Sequence, residues 1–288
     1  MLPTLLLAYN IFAARHEFIM QILGFFLAAL VGISLGLIGG GGSILTVPIL
    51  VYVMGVNPIL ATSYSLFIVG STSMVGAFNN WRKGFVQIKT ALLFGISSIT
   101  TVFLTRKFIV PAIPMHILTV GRFDLTEDIL TMVLFAILMV VASIAMIKNG
   151  NKKEVGQTTD NLKAKKINLP KLLLYGIAIG LATGLLGAGG GFLLIPTLVL
   201  LVGLPMKEAV GTSLLIIALN SLIGFTGDLG HFVMDWIFLG KITIIAVVGI
   251  FVGGYLSKKI DGVKLKKAFG WFVLIMGVYI LIKEIFLK

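Results

Sequence analysis

The sequence predicts an all-α polytopic membrane protein built from two repeats of inverted topology, each with a broken or re-entrant helix. Three observations predict it: the composition, a succession of apolar segments, and a glycine-rich phrase that occurs twice. Of 288 residues, 58% are hydrophobic and 12% are charged, about half the charged fraction of a soluble domain. Mean hydropathy is +1.09. The phrase appears first as Gly36-Leu37-Ile38-Gly39-Gly40-Gly41-Gly42-Ser43 and again as Gly184-Leu185-Leu186-Gly187-Ala188-Gly189-Gly190-Gly191.

The apolar segments fall at approximately 18–39, 43–55, 58–79, 88–110, 128–147, 171–187, 191–203, 206–226, 236–257 and 266–286. Most match the roughly 20 residues that a helix needs to cross hydrocarbon. Segments 43–55 and 191–203 are shorter, and each follows a glycine cluster, so each is expected to be the return limb of a broken hairpin. Glycine suits such a break because it accepts positive φ and close backbone approach. Residues 1–17 form an extension of different character. Met1 to Ala14 is apolar but too short to span, and Arg15, His16 and Glu17 follow. It reads either as an interfacial segment or as a translation artefact, since Met20 opens the first span cleanly. Repeat 1 then covers 18–147, a polar linker covers 148–170, and repeat 2 covers 171–288. The repeat extends past the glycines. Aligned without a gap, 36–66 and 184–214 share 13 identities in 31 positions, among them Pro48 with Pro196, Gly55 with Gly203 and Ser65 with Ser213.

Lysine and arginine in short loops set orientation. The linker carries Lys148, Lys152, Lys153, Lys163, Lys165 and Lys166, so it is expected in the cytoplasm. The turn with Arg82, Lys83 and Lys89, and the turn with Lys258, Lys259 and Lys264, are expected there too. The turn with Asp228, His231 and Asp235 lacks Lys and Arg and is expected outside. These assignments agree if each half makes an odd net number of crossings, which inverts one half and places both termini outside. Arg106, Lys107 and Arg122 then fall in an external loop. The expected location is the cell membrane.

The same observations exclude several classes. The net charge is +12, but the basic residues lie between spans and follow the topology rule, which argues against a nucleic-acid partner. Cysteine is absent, which removes disulfides and thiolate metal sites, and the three histidines at 16, 116 and 231 are scattered. No metal and no cofactor are expected. Nothing resembles a nucleophile–base pair, and Gly39–Gly42 lacks the Lys and Ser/Thr that complete a P-loop, so the chain is not expected to be an enzyme.

A duplicated membrane unit interrupted at matching places points to a transport site between the halves. The candidates in the breaks are Gly39, Gly40, Gly41, Gly42 and Ser43 in the first, and Gly187, Gly189, Gly190 and Gly191 in the second. Half-helices starting there would offer free N–H groups and positive partial charge to a small anion. The plainer reading is close packing through small residues, as Gly176, Gly180 and Gly184 suggest by their four-residue spacing. Ser65, Thr212, Ser213 and Asn220 on the third and eighth segments add donors without adding charge. Their plainer reading is bonding back to their own helix. Arg82 is a candidate for drawing an anion to the cytoplasmic mouth. Asp228 and His231 are candidates for binding or relaying protons, against the plainer reading of a hydrated loop.

These phrases resemble the TauE/SafE family of sulfite and organosulfonate exporters. The second half carries the resemblance through Gly187–Gly191, Pro196, Ala209-Val210-Gly211-Thr212-Ser213-Leu214, and Gly230 to Trp236. The first half carries it through Gly39–Gly42, Pro48 and Arg82-Lys83-Gly84-Phe85-Val86. It departs at Thr62-Ser63-Tyr64 and at Gln87, where the family has an acid. The resemblance implies a secondary transporter that exports a small sulfur-containing oxyanion by alternating access, with the bilayer and a coupled H⁺ or Na⁺ as partners. The alternative is a channel or Na⁺-type carrier using carbonyls freed at the helix breaks.

Overall fold

A computed structural model describes residues 2–114, 116–120, 123–149, 169–257 and 262–286. The central part of the linker, 150–168, lies outside the described residues. The elements are helical almost throughout. Helix α1 (Leu2–Ile38) is followed by a short apolar helix α2 (Gly41–Val53), then by α3 (Pro58–Arg82), α4 (Ile88–Leu104) and α5 (Glu127–Asn149). The second half repeats the order with α6 (Leu169–Leu186), α7 (Gly191–Thr197), α8 (Met206–Asp228), α9 (Trp236–Leu256) and α10 (Gly262–Phe286). Among the described residues, seven helical stretches are long and apolar enough to cross a membrane. Residues 2–17 continue into the first span as one helix. Strands β1 (His116–Val120) and β2 (Phe123–Thr126) pair antiparallel before α5, a feature the hydropathy pattern does not signal.

The short segments are return limbs. Met54, just past α2, lies against Gly24 of α1, and Gly42 lies against Ser34 and Leu35. The chain therefore doubles back on α1. Both limbs end in a wider π turn, Ile49–Val53 in the first and Leu198–Val202 in the second. Helix starts follow local chemistry. Asn57 accepts from the Ile59 and Leu60 N–H groups at 3.0 and 3.4 Å, with Pro58 next. Asp235 accepts from Ile237 and Phe238 at 3.1 and 3.0 Å. Such caps satisfy donors that the first helical turn leaves open.

The packing pairs elements across the two halves. Gly70 of α3 lies against Leu222 of α8, Gly76 against Leu214, and Gly224 against Leu66, so α3 and α8 run antiparallel. Helices α5 and α10 also run antiparallel, with Gly270 on Met146 and Gly277 on Met139. By contrast α1 and α9 run parallel, since Gly32 meets Ala246 and Gly36 meets Ile250 and Gly253. Helices α4 and α6 run parallel too: Gly176, Gly180 and Gly184 meet Ser97, Thr101 and Thr105 in turn. This last stripe is the close packing that its four-residue spacing suggests. Three of these contacts recur under the 148-residue offset: Gly76–Leu214 as Gly224–Leu66, Gly32–Ala246 as Gly180–Ser98, and Gly36–Gly253 as Gly184–Thr105. The interior is polar as well as apolar, with Ser43, Thr62, Ser63, Ser65, Thr72, Ser73, Asn220 and Ser221 buried, while Phe26, Ile96, Leu174, Ile237, Ile244 and Ile275 face outward. That distribution suits a hydrocarbon surround, in which outward polar groups would be costly.

The backbone contact between Gly40 and Gly191 makes a test. A Cβ on Gly40 would lie 2.7 Å from the Gly191 Cα, and backbone there has nowhere to yield, whereas a Cβ on Gly254 would meet nothing within 4 Å. Gly40→Val is expected to destabilise the fold by about 3 kcal/mol, as overpacking does. Gly254→Ala is expected to be neutral or stabilising by up to about 1 kcal/mol, as for glycine replaced in a helix. Melting of both variants in detergent, followed by size-exclusion, reads the difference.

Candidate functional site

The two glycine breaks meet. Gly40 and Gly191 touch backbone to backbone, each occupying the place where the other's side chain would be. Gly39 and Gly187, aligned in the two halves, both hold positive φ, +81° and +67°. A side-chain-bearing residue disfavours that conformation. Both sit on the central antiparallel pair: Gly39 against Val210 of α8, and Gly187 against Thr62 of α3. Val210 and Thr62 are themselves aligned, so the two contacts are reciprocal.

Around the second break lie hydroxyls and an amide without partners. A Cβ on Gly189 would be 3.4 Å from the Ser221 Oγ, and Gly190 faces the Thr183 Oγ. Among the described residues, the buried Thr183 and Ser221 hydroxyls and the Asn220 Nδ2 find no hydrogen-bond partner. The Asn220 Oδ1 does, accepting from Ser98 Oγ at 2.9 Å. The antiparallel register sets Thr72 and Ser73 of α3 opposite this turn, and both hydroxyls are again buried without partners. A buried polar group left unmatched costs on the order of 1–3 kcal/mol, so these hydroxyls and the amide are candidates to hydrogen-bond a polar ligand.

The remaining candidates divide. Ser65 Oγ donates to the Gly187 carbonyl at 2.8 Å and pins the break to α3. Ser43 Oγ donates to the Gly40 carbonyl at 2.8 Å and closes the first break on itself. Gly41 lies against Ile38 and Phe269, and Gly42 against Ser34. Ser213 Oγ bonds back to the Val210 carbonyl at 2.9 Å. Thr212 Oγ1 accepts the Gln87 N–H at 2.9 Å, and at the aligned place Tyr64 Oη accepts the Asp235 N–H at 2.8 Å. Two of the positions where the sequence departs from the TauE/SafE pattern it resembles, Tyr64 and Gln87, thus take part in matched scaffold bonds. Arg82 and His231 are exposed.

Asp228 is not in a hydrated loop. It is the buried last residue of α8, and its Oδ2 pairs with the Arg106 Nη1 at 3.2 Å. Arg106 is fully buried too, rather than in a loop, because α4 continues past Leu104 as a π turn, Thr105–Ile109. The same Nη1 donates to Thr62 Oγ1 at 2.9 Å, and Ser63 Oγ donates to the Asp228 Oδ2. The polar face of α3 and α8 therefore includes a buried cation that the sequence reading placed outside it. A usable signal existed: charges inside apolar spans nearly always pair, and 88–112 and 206–228 each contain a candidate partner. A second buried carboxylate, Glu284 of α10, accepts from Tyr52 Oη at 2.8 Å, with the Lys283 Nζ 4.4 Å above the Tyr52 ring. It ties the first return limb to α10.

A polytopic helical protein with two broken helices meeting inside it has the form of a membrane transporter. The family model of the sulfite exporter TauE/SafE matches residues 24–280, and the chain belongs to that family. It is 28% identical over 255 residues to a probable membrane transporter protein of Xylella fastidiosa strain 9a5c, covering 88% of this chain and 91% of that one. It is 27% identical over 241 residues to the probable membrane transporter protein YdhB of Bacillus subtilis, covering 83% and 91%. No solved structure matches significantly. The chain is a multi-pass membrane transporter.

The buried pair predicts an energetic asymmetry. Asp228→Ala leaves the Arg106 charge buried alone and is expected to cost about 3–5 kcal/mol, whereas removing both charges in Arg106→Met/Asp228→Leu is expected to cost far less. Thermal melts of the purified variants check it. Equal losses in the single and double variants would contradict the pairing.

Proposed function

We propose that the protein is a secondary transporter that exports a small sulfur-containing oxyanion, sulfite or an organosulfonate, by alternating access. The observation that carries the reading is the meeting of the two breaks at Gly40 and Gly191 beside unpartnered buried donors on Thr183, Asn220 and Ser221. Hydroxyl and amide donors bind an oxyanion without committing several fixed charges to it, so release stays accessible. The family's description supports the sulfur oxyanion. The direction follows from charge. An inside-negative potential favours anion exit by about 2.3 kcal/mol per charge per 100 mV, and coupling to H⁺ or Na⁺ would modify that balance.

Inverted repeats support the alternation. The antiparallel run of α3 with α8 and of α5 with α10, together with the parallel pairs that α1 and α4 make with their partners, is what two oppositely oriented halves produce. Under the loop-charge rule the turn at 83–87 and the linker face the cytoplasm, and the turn at 229–235 faces out.

Two measurements test this. Proteoliposomes loaded with radiolabelled sulfite are expected to release it with saturable kinetics, and methanesulfonate is expected to compete where sugar phosphates do not. Saturable Na⁺ flux without anion flux would favour the cation carrier instead. For orientation, the chain is free of cysteine and Val233 is almost wholly exposed. An impermeant maleimide outside intact cells is expected to label Val233→Cys and spare Lys83→Cys. The reverse pattern would overturn the orientation.

A further inference from the structure

Arg106 has more donors than its visible partners use. Its Nη1 serves both Thr62 and Asp228. Among the described residues, its Nε and Nη2 have no hydrogen-bond partner, although the side chain is fully buried. Those two nitrogens form one edge of the guanidinium, the edge that presents two parallel N–H groups to an oxyanion. A buried guanidinium with that edge unmatched is costly, far more so than an unmatched hydroxyl. The opposite edge is fixed by bonds from two other helices, so the free one is held in a defined direction.

Comparison of the halves shows that this group is a one-sided addition. By the alignment that matches Gly39 with Gly187, the counterparts of Arg106, Thr62, Ser63 and Asp228 are Gly254, Val210, Gly211 and Asn80. The packing geometry is conserved between them: Gly211 lies against Asn80, as Ser63 meets Asp228. Fold stability is therefore served at the equivalent place without any charge. The charged version also adjoins the second break, because Thr62 both receives the Arg106 bond and packs on Gly187. A cavity of about 20 Å³ reaches Thr62 and Val110, with Glu127 and Thr131 of α5 and Leu186 of α6 on its walls. It has room for a water.

We propose that the Nε/Nη2 edge of Arg106 is an oxyanion-binding station for the transported anion, with Asp228 and Thr62 holding the guanidinium in register. The proposal rests on the anion-transport reading above. The ligand class is a small oxyanion with two oxygens able to meet the edge together, such as sulfite or a sulfonate. Asp228 already neutralises the guanidinium, so the station binds weakly and releases readily, as a transport step requires.

The test uses the full chain in proteoliposomes, with sulfite as the probe and the half-saturating concentration as the readout. Arg106→Lys keeps the charge and loses the fork. It is expected to raise the half-saturating concentration at least tenfold. Arg106→Gln/Asp228→Asn removes both charges with little change of shape, so it keeps the fold testable even if single variants do not assemble. It is expected to melt like the native protein and to lose at least tenfold in apparent affinity. Native half-saturation in the double variant would overturn the station and leave Arg106 as a tie to Asp228. Absence of saturable sulfite flux in the native protein would instead remove the transport reading, and the station with it.

Discussion

Everything in this structure is arranged around two pieces of non-helical backbone that must be kept from lipid. In hydrocarbon an open N–H or carbonyl has no water to turn to, so a helix break survives only inside protein or against a polar cavity. Here each break shields the other. Gly40 and Gly191 approach so closely that neither has room for a side chain, and this fixes how far each hairpin reaches. The central pair α3 and α8 then closes around the contact, with Gly187 on Thr62 and Gly39 on Val210. Ser65 takes up the Gly187 carbonyl, and Ser43 takes up that of Gly40. What these bonds leave unsatisfied is the polar edge formed by Thr183, Asn220 and Ser221. The same constraint that builds the scaffold thus leaves unpartnered polar groups beside the second break.

The halves agree in scaffold and diverge in chemistry. The bonds from the Gln87 N–H to Thr212 and from the Asp235 N–H to Tyr64 occupy equivalent places with different side chains. A hydroxyl at that position is retained on a threonine in one half and on a tyrosine in the other, because the geometry asks only for an acceptor. Elsewhere the equivalence fails. Asn220 Oδ1 accepts from Ser98, while its counterpart Thr72 has no hydrogen-bond partner among the described residues, and the position equivalent to Ser98 is Ala246. The Arg106–Asp228 group has no charged counterpart at all. Divergence falls on polar groups beside the breaks, while the glycines at Gly32 and Gly180, Gly36 and Gly184, and Gly76 and Gly224 keep helix spacing in both halves.

Much of this was legible in the sequence. The duplicated phrase located both breaks, and the length of 43–55 and 191–203 marked them as return limbs, because a hairpin limb needs fewer residues than a crossing. The four-residue spacing of Gly176, Gly180 and Gly184 revealed a packing stripe. The ion pair was not legible in the same way. Arg106 is followed by Lys107, and together they look like a basic loop. Only the π turn carries one inward and leaves the other exposed. Asp228 is likewise grouped by sequence with the exposed His231 and Asp235. Its partner lies 122 positions away, a separation that no periodicity reports. Side-chain direction at the ends of spans depends on how far the helix continues, and hydropathy is least informative at those boundaries.

The cross-pairing of elements limits how such a molecule can move. Each hairpin is braced by a helix from the other half, α1 by α9 and α6 by α4, through glycine contacts that bring backbones together. A motion separating the halves as two blocks would break both braces at once. Motion that keeps them must instead treat each hairpin and its brace as a unit, sliding along the α3–α8 pair. Glycine-lined contacts permit such sliding, because no long side chains interlock across them. Arg106 belongs to the brace of the second hairpin, one residue after Thr105, which packs on Gly184. Its partners Thr62 and Asp228 lie on the two central helices. The ion pair therefore joins a brace to the central pair. Under the proposed reading, an anion that shared that pair would act on the contact between the brace and the central pair.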